Sequence, residues 1–516
     1  MSRTTARRVT TLTLLAALTL SACGSASGEE GGSEFRFPVT ATIPTLDPHV
    51  SPSGVVAEID RHIFETLVAY DTALVPQPAL AEAWETEDDG ATWTFHLRDD
   101  VTFHNGDPLT AEDVAASLNK WKRTTARAQT FMGESEFSVV DDLTVELALD
   151  SPRGDVLDQL ANPLQFAAIM PASVIENAAA EGVTEYVGTG PYEFVEWAPD
   201  QHVHVARYEG YVGSEAESDG LSGKKNAHTE NLYFDFITDT STRFSMFLAG
   251  DYDVVDVNAD QLPQVEAQTD VDIATQLATG FNVVFNMQSP IFSELLNREA
   301  VAAAIDADDF MLAVVSDPEL YRLNPSYAFH ENEVWWSDAG SEGVYNQGDS
   351  EKAAALVSES GYDGEEVRIL TSRDYGGVYY DSAVILQSQL DAAGFNTSLV
   401  EYDYATLIQE RNSLTGWDVY TGAFIVPSTP SQLLYLTPNY AGNEDPGVAE
   451  LLVAAASAIT PEAKAEASAA LETYLWEQLP VINVGDSYEY IAVRNTVDGI
   501  DFFDGAAVLW NVDVDH

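Results

Sequence analysis

Few residues in this chain are spaced for chemistry. His202 and His204 lie two apart in a strand-like run, so both side chains fall on one face, the beginning of a metal pair. A solvated strand face shows the same spacing, and no third ligand follows nearby. Gly188-Thr189-Gly190 is glycine-rich enough to cradle a phosphate, but it lacks the lysine and the strand–loop–helix order of such a loop. Gly485-Asp486-Ser487 looks superficially like an esterase start. There is no Gly-x-Ser-x-Gly elbow, no His-Glu-x-x-His and no Gly-x-x-x-x-Gly-Lys-Ser/Thr. Eighty-four carboxylates in 516 residues produce close acidic pairs by chance, so no glycosidase-type pair can be picked out. The expectation is a protein without catalytic residues, metal or cofactor. What remains is binding chemistry: an enclosed solute loses its water, so aromatic faces and one or two charges must receive it.

The charge limits the partners. Twenty-three bases against 84 acids give a net charge of −61, which repels nucleic acid and anionic headgroups. Such a surface serves solubility at high ionic strength or recruits cationic ligands. Arg3, Arg7 and Arg8 precede an apolar run from Leu12 to Leu20, too short to span a bilayer as a mature helix, so residues 1–22 read as an export signal. The lone cysteine, Cys23, excludes a structural disulfide and a thiolate cluster. Gly24 to Ser33, small and acidic, reads as a flexible tether.

Positioning elements follow from pattern. At this length two or three domains are expected. Trp93, Phe95 and Leu97 alternate as a half-buried strand, which Val101 and Phe103 resume; Asn105-Gly106-Asp107-Pro108 turns the chain. Thr110 caps a helix whose Val114, Leu118 and Trp121 share one face. Ile59, Ile63, Phe64 and Leu67 have helical spacing, and a strand is expected over 35–42. Later come a strand at 280–286, a helix at 350–360 stopped by Gly361, strands at 367–370 and 396–400 around a helix at 378–393, and final strands at 481–484 and 490–493. Thr460-Pro461-Glu462 opens a late helix.

Several of these segments carry a resemblance. Trp-x-Phe-x-Leu-Arg from Trp93, Phe103-His104-Asn105-Gly106, Leu109 to Val114, Phe64 to Val68, Pro76 to Trp84, Gly188 to Tyr192, Gly250 to Val255 and Arg298 to Asp306 resemble, in order, the extracellular solute-binding proteins of family 5. These are the oligopeptide, dipeptide and nickel binders of ATP-binding-cassette importers. The resemblance implies an α/β fold of two periplasmic-binding-protein-like lobes, of the large cluster with an extra inserted domain, the ligand lying between the lobes. It implies a first domain built from residues 35–72, 188–283 and 484–516, an inserted domain over 73–187 and a second lobe over 284–483. Leu20-Ser21-Ala22-Cys23 resembles a lipobox, which implies lipidation of Cys23, extracytoplasmic attachment to the cell membrane, and a tether over 23–34.

The same resemblance points to ligand contacts. Leu46 lies in a Thr-Leu-Asp-Pro turn that faces the cleft in relatives, Phe281 lies at the crossover, and Arg373 and Tyr375 follow a strand of the last lobe. Arg373 is either a clamp for a ligand carboxylate or the partner of a nearby acid. Tyr420, Thr421 and Phe424 belong to the segment where peptide binders read Tyr-Asp, then Trp-x-x-Asp. Asp418 matches the first acid, Phe424 replaces the tryptophan, and Pro427 replaces the acid that holds a peptide's ammonium. The implied function is the substrate-binding lipoprotein of an importer, a monomer that captures a peptide or another small molecule and passes it to a permease driven by an ATPase. A nickel chelate, a glutathione-like compound or a sugar derivative is the alternative cargo, and a secreted hydrolase is the alternative of another class.

Overall fold

The computed structural model describes residues 33–514, apart from 88–89, 126–127, 130–131, 180, 375–376 and 425–428. The export signal, Cys23, Tyr375 and Pro427 therefore lie outside the described residues. Three larger sheets organise those residues. In the first, Glu34–Val39 runs parallel to Asn231–Phe236, followed antiparallel by His202–Arg207 and Tyr192–Ala198. The second is antiparallel, in the order Ala81–Glu87, Thr92–Leu97, Thr144–Ala148, Glu136–Asp141. The Ala111–Thr124 helix packs on it, with Asn119 Nδ2 donating to Phe137 O at 2.8 Å. One core underlies both sheets, with Phe35, Val203 and Phe234 from the first and Trp93, Phe95, Leu118 and Trp121 from the second.

The third sheet is seven-stranded and carries the connection to the rest of the chain. Its order is Val254–Val257, Val481–Arg494, Val271–Phe285, Val419–Phe424, Glu366–Thr371, Asn396–Glu401, with Tyr321–Leu323 added beside Val481–Arg494. Val271–Phe285 is longer than its apolar half suggests. Residues 280–285 are buried, whereas 272–275 are exposed. The polar run around Thr275 and Gln276 has no buried face and so no period-two signal. Val481–Arg494 is one strand rather than two, because Gly485-Asp486-Ser487 stays in the ladder. A Cβ at Gly485 would lie 2.6 Å from Arg322 O, so only glycine lets the neighbouring strand approach.

Elsewhere the local rules hold with two corrections. Thr110 and Asp113 form a reciprocal capping box, Thr460 accepts from Ala463 N at 3.2 Å, and Gly361 ends the Ser350–Ser360 helix at φ +77°. The strand expected to resume at Val101 is instead a loop. Phe103 O accepts from Tyr208 at 2.9 Å and His104 N donates to Gly188 O at 2.9 Å, so the ladder positions are spent on tertiary contacts. The helix carrying Ile59 stops at Asp60, because the carbonyls of His62 and Ile63 turn to accept from Tyr192 N and Gly190 N. Ile63, Phe64 and Leu67 remain buried without being helical.

These contacts explain the glycines at 188 and 190. A Cβ at Gly188 would lie 2.0 Å from Ile63 O, and one at Gly190 2.5 Å from His62 O. Glu65 completes the node, accepting from Thr189 at 3.1 Å, Tyr211 at 3.1 Å and Lys225 at 2.8 Å. The C-terminal segment closes over the same region. Leu509 N donates to His62 Nε2 and Ala507 N to Glu58 Oε1. His62 is held neutral, its pKa pushed down to about 3 by burial.

Candidate functional site

The two long strands Val271–Phe285 and Val481–Arg494 line two cavities of ≈ 480 Å³ and ≈ 490 Å³, which share Gln276, Ile491, Phe502, Asp504 and Gly505. The lining of the first brings together distant parts of the chain, Thr72 and Pro163 with Phe329 and Glu331. Apolar surface comes from Ile273, Leu277, Phe329 and Phe502. The charges are one-sided: Asp272, Glu331, Asp501 and Asp504 in the first cavity, and Glu58, Asp256 and Glu489 in the second. Among the described lining residues Arg61 supplies the positive charge, and it is buried, donating to Ala57 O and Phe503 O. Burial also pushes Glu58 up to about 7, against the hydrogen bond from Ala507.

Further along the same strands lies a niche of ≈ 10 Å³, room for about one water-sized group. Phe281, Asn282 and Gly280 form one wall, Asn483, Gly485 and Asp486 another, and Phe424, Tyr327 and Tyr435 the roof. Amides in the middle of apolar strands need partners. Asn282 Nδ2 donates to Asn483 Oδ1 at 3.3 Å, and Asn483 Nδ2 to Pro325 O at 3.1 Å. That leaves Asn282 Oδ1 buried without a partner. Asp486 accepts from Arg322 Nε at 2.7 Å and Asn324 Nδ2 at 3.1 Å; burial nevertheless lifts its pKa to about 6. Arg322 then forks onto Glu331 at 2.7 and 2.6 Å, which joins the niche to the wall of the first cavity.

Two of the candidates meet here. Phe281 and Phe424 both line the niche, brought together by the pairing of Val271–Phe285 with Val419–Phe424. The Phe424 ring leans on Tyr435 and Tyr440 at 5.1 and 5.9 Å. Tyr420 and Thr421 lie on the same strand but are buried; Tyr420 stacks on Tyr379 at 6.0 Å and Thr421 accepts from Ser382 at 2.8 Å. Asp418 is structural. Burial alone would raise its pKa, but hydrogen bonds from Arg368 and Ser289 hold it below the usual carboxylate range.

Other candidates are placed away from the cavities. Leu46 has no exposed surface and packs in the first core, so the Thr-Leu-Asp-Pro turn presents a core side chain there rather than a contact. Its neighbour Asp47 is buried against Lys120 at 2.7 Å. Arg373 is exposed, 3.1 Å from Glu401 and 3.4 Å over the Tyr380 ring, which is the ion-pair arrangement. His204 stacks flat on Tyr233 at 4.2 Å, and His202 faces Glu196 at 3.2 Å. No group of three or more His, Cys, Asp or Glu among the described residues is arranged to hold a metal ion. Asn282, Asn324, Asn483, Asp486 and Arg322 were not expected at a site; the signal for two of them was an asparagine inside an apolar run, Phe281-Asn282-Val283 and Ile482-Asn483-Val484.

Beyond the cavity linings, residues 154–158 touch residues 431–464. Ser431 donates to Asp155 at 2.8 Å, Lys464 to Asp158 at 2.9 Å and Gly154 N to Ala456 O at 2.8 Å. Among the described residues no helix is long and apolar enough to cross a membrane.

Comparison with known proteins gives this geometry a family. Residues 75–445 match the model of the bacterial extracellular solute-binding proteins, family 5. The chain is 27% identical over 398 residues to the "probable peptide ABC transporter periplasmic-binding protein" of Sinorhizobium fredii, covering 73% of each chain. It is 27% identical over 395 residues to the nickel-binding periplasmic protein of Escherichia coli, covering 72% of each. The dipeptide binding protein from Pseudoalteromonas sp. SM9913, solved with Met-Leu, superposes with a TM-score of 0.71 at 21% identity over 93% of this chain and 100% of that one. The fold is therefore the two-lobed periplasmic-binding-protein architecture. These relatives are binding proteins rather than enzymes, which removes the secreted-hydrolase reading. With residues 75–445 matched by its model, the chain belongs to the bacterial extracellular solute-binding proteins of family 5.

Proposed function

We propose that this chain is the solute receptor of an ABC importer, tethered outside the cell through a lipid on Cys23, which captures a small solute, a peptide first of all, and delivers it to a permease driven by an ATPase. The observation that carries the reading is the pair of cavities on the crossing strands, lined by residues from distant parts of the chain, in a fold where Lys464–Asp158 and Ser431–Asp155 tie those parts together. Such an arrangement encloses a ligand by bringing two bodies together and favours the joined state once the ligand is present. Within it, Phe281 and Phe424 are the proposed solute contacts. Residues 35–72, 188–283 and 484–516 are proposed as the first domain, 73–187 as its insertion and 284–483 as the second lobe. Thermal unfolding against panels of peptides, metal chelates and sugar derivatives tests the function. A cognate solute raises the midpoint by several degrees and is recovered unchanged; turnover of the stabilising compound would overturn the proposal.

A further inference from the structure

The geometry points to a protonated primary amine on the solute, seated in the niche beneath Phe424; this rests on the solute-receptor reading above. Asn282 is only 6% exposed, and its Oδ1 is a buried acceptor with no donor facing it. Such an atom costs about 1–3 kcal/mol unless a donor arrives. The space in front of it is ≈ 10 Å³, and an ammonium head is close to water in size. The remaining wall is also acceptor-rich, with Asp486 on the adjacent strand. Arg322 does not reverse the local sign. It is shared between two carboxylates, Asp486 and Glu331, so the group of three carries a net negative charge.

The first cavity, linked to the niche through the Arg322–Glu331 pair, carries the same sign. Asp272, Glu331, Asp501 and Asp504 line it with no Lys or Arg among the lining residues. A carboxylate entering would meet repulsion, with no cationic side chain among the lining residues to offset the loss of its water. An ammonium gains at both stages: it is drawn in by the long-range negative field and then hydrogen-bonded by Asn282. The aromatic roof of Phe424, Tyr435 and Tyr327 excludes water and leaves the alkyl part of an amine covered. In this chain the amine-binding acceptors thus come from the two crossing strands.

The test uses the full chain and two synthetic pools: tripeptides with free N-termini, enriched in lysine, and the same pool fully N-acetylated on both α- and ε-amines. After equilibrium dialysis, retained species are identified by mass spectrometry. The free-amine pool is expected to be retained at least about tenfold better, the size of one lost charge-assisted hydrogen bond. Asn282→Asp, which keeps the acceptor and adds a charge, is expected to widen that ratio, and Asn282→Leu to collapse it. Equal retention of the two pools by the unaltered protein would overturn the amine seat while leaving the receptor reading intact. An unchanged ratio in a folded Asn282→Asp protein would also overturn it, leaving the niche as a place for one water. Retention of nothing from either pool, nor from a cell extract, would sink both readings.

Discussion

At the scale of single residues, burial decides what each carboxylate does. Glu472 has no exposed surface, and accepts at one oxygen from Ser326 at 2.7 Å and Tyr327 N at 2.8 Å. Burial pushes its pKa up to about 8 from 4.5, with the two hydrogen bonds opposing. Between those values the unfolded chain has released the proton while the folded chain still holds it, so stability falls as pH rises from about 4.5 to about 8. Glu472→Gln removes the titration and is expected to raise stability by about 2 kcal/mol at pH 8 and by almost nothing at pH 4.5. Urea unfolding at the two pH values reads the difference, and an equal effect at both would assign the change to packing. Asp418 shows the opposite outcome of burial, because Arg368 supplies both a side-chain fork and a backbone N–H to it.

At the scale of elements, glycines mark where segments cross. Gly188→Ala is expected to destabilise the protein by about 2 kcal/mol or more, because its Cβ would lie 2.0 Å from a backbone oxygen that cannot swing away. A thermal melt within a degree of the parent would contradict the contact. This crossing was legible in sequence only as a motif, Gly-Thr-Gly-Pro-Tyr, since nothing in the letters says that Ile63 passes against it. Caps at Thr110 and Thr460 and the stop at Gly361 were legible, because they depend on neighbours within four residues. The polar half of Val271–Phe285 was not, because a strand lining a cleft has no buried face to set a period. Of the candidate contacts, Phe281 and Phe424 converge because strand register pairs their neighbours. Asn282 and Asp486 join them through a ladder between residues some two hundred positions apart, which no local pattern records.

At the scale of the whole molecule, the contacts between residues 154–158 and 431–464 tie distant parts of the chain together. Gly154 sits against the Ala456–Ala458 backbone, and a Cβ there would lie 2.0 Å from Ala458 O. On the proposed capture between two bodies, Gly154→Ala overpacks this contact and is expected to weaken solute binding by about tenfold or more. Calorimetric titration of the solute recovered from the protein measures it, and unchanged affinity would mean that the two sides need not meet for capture. The negative charge belongs to this scale as well, since it acts through the summed field rather than through any one acid. Native mass spectrometry of the protein purified from its own cells, without refolding, tests the central claim most directly. A discrete added mass of a small, amine-bearing solute, lost on unfolding and rebound unaltered, is expected; a protein that carries no solute and consumes the compound that stabilises it would not be a solute receptor.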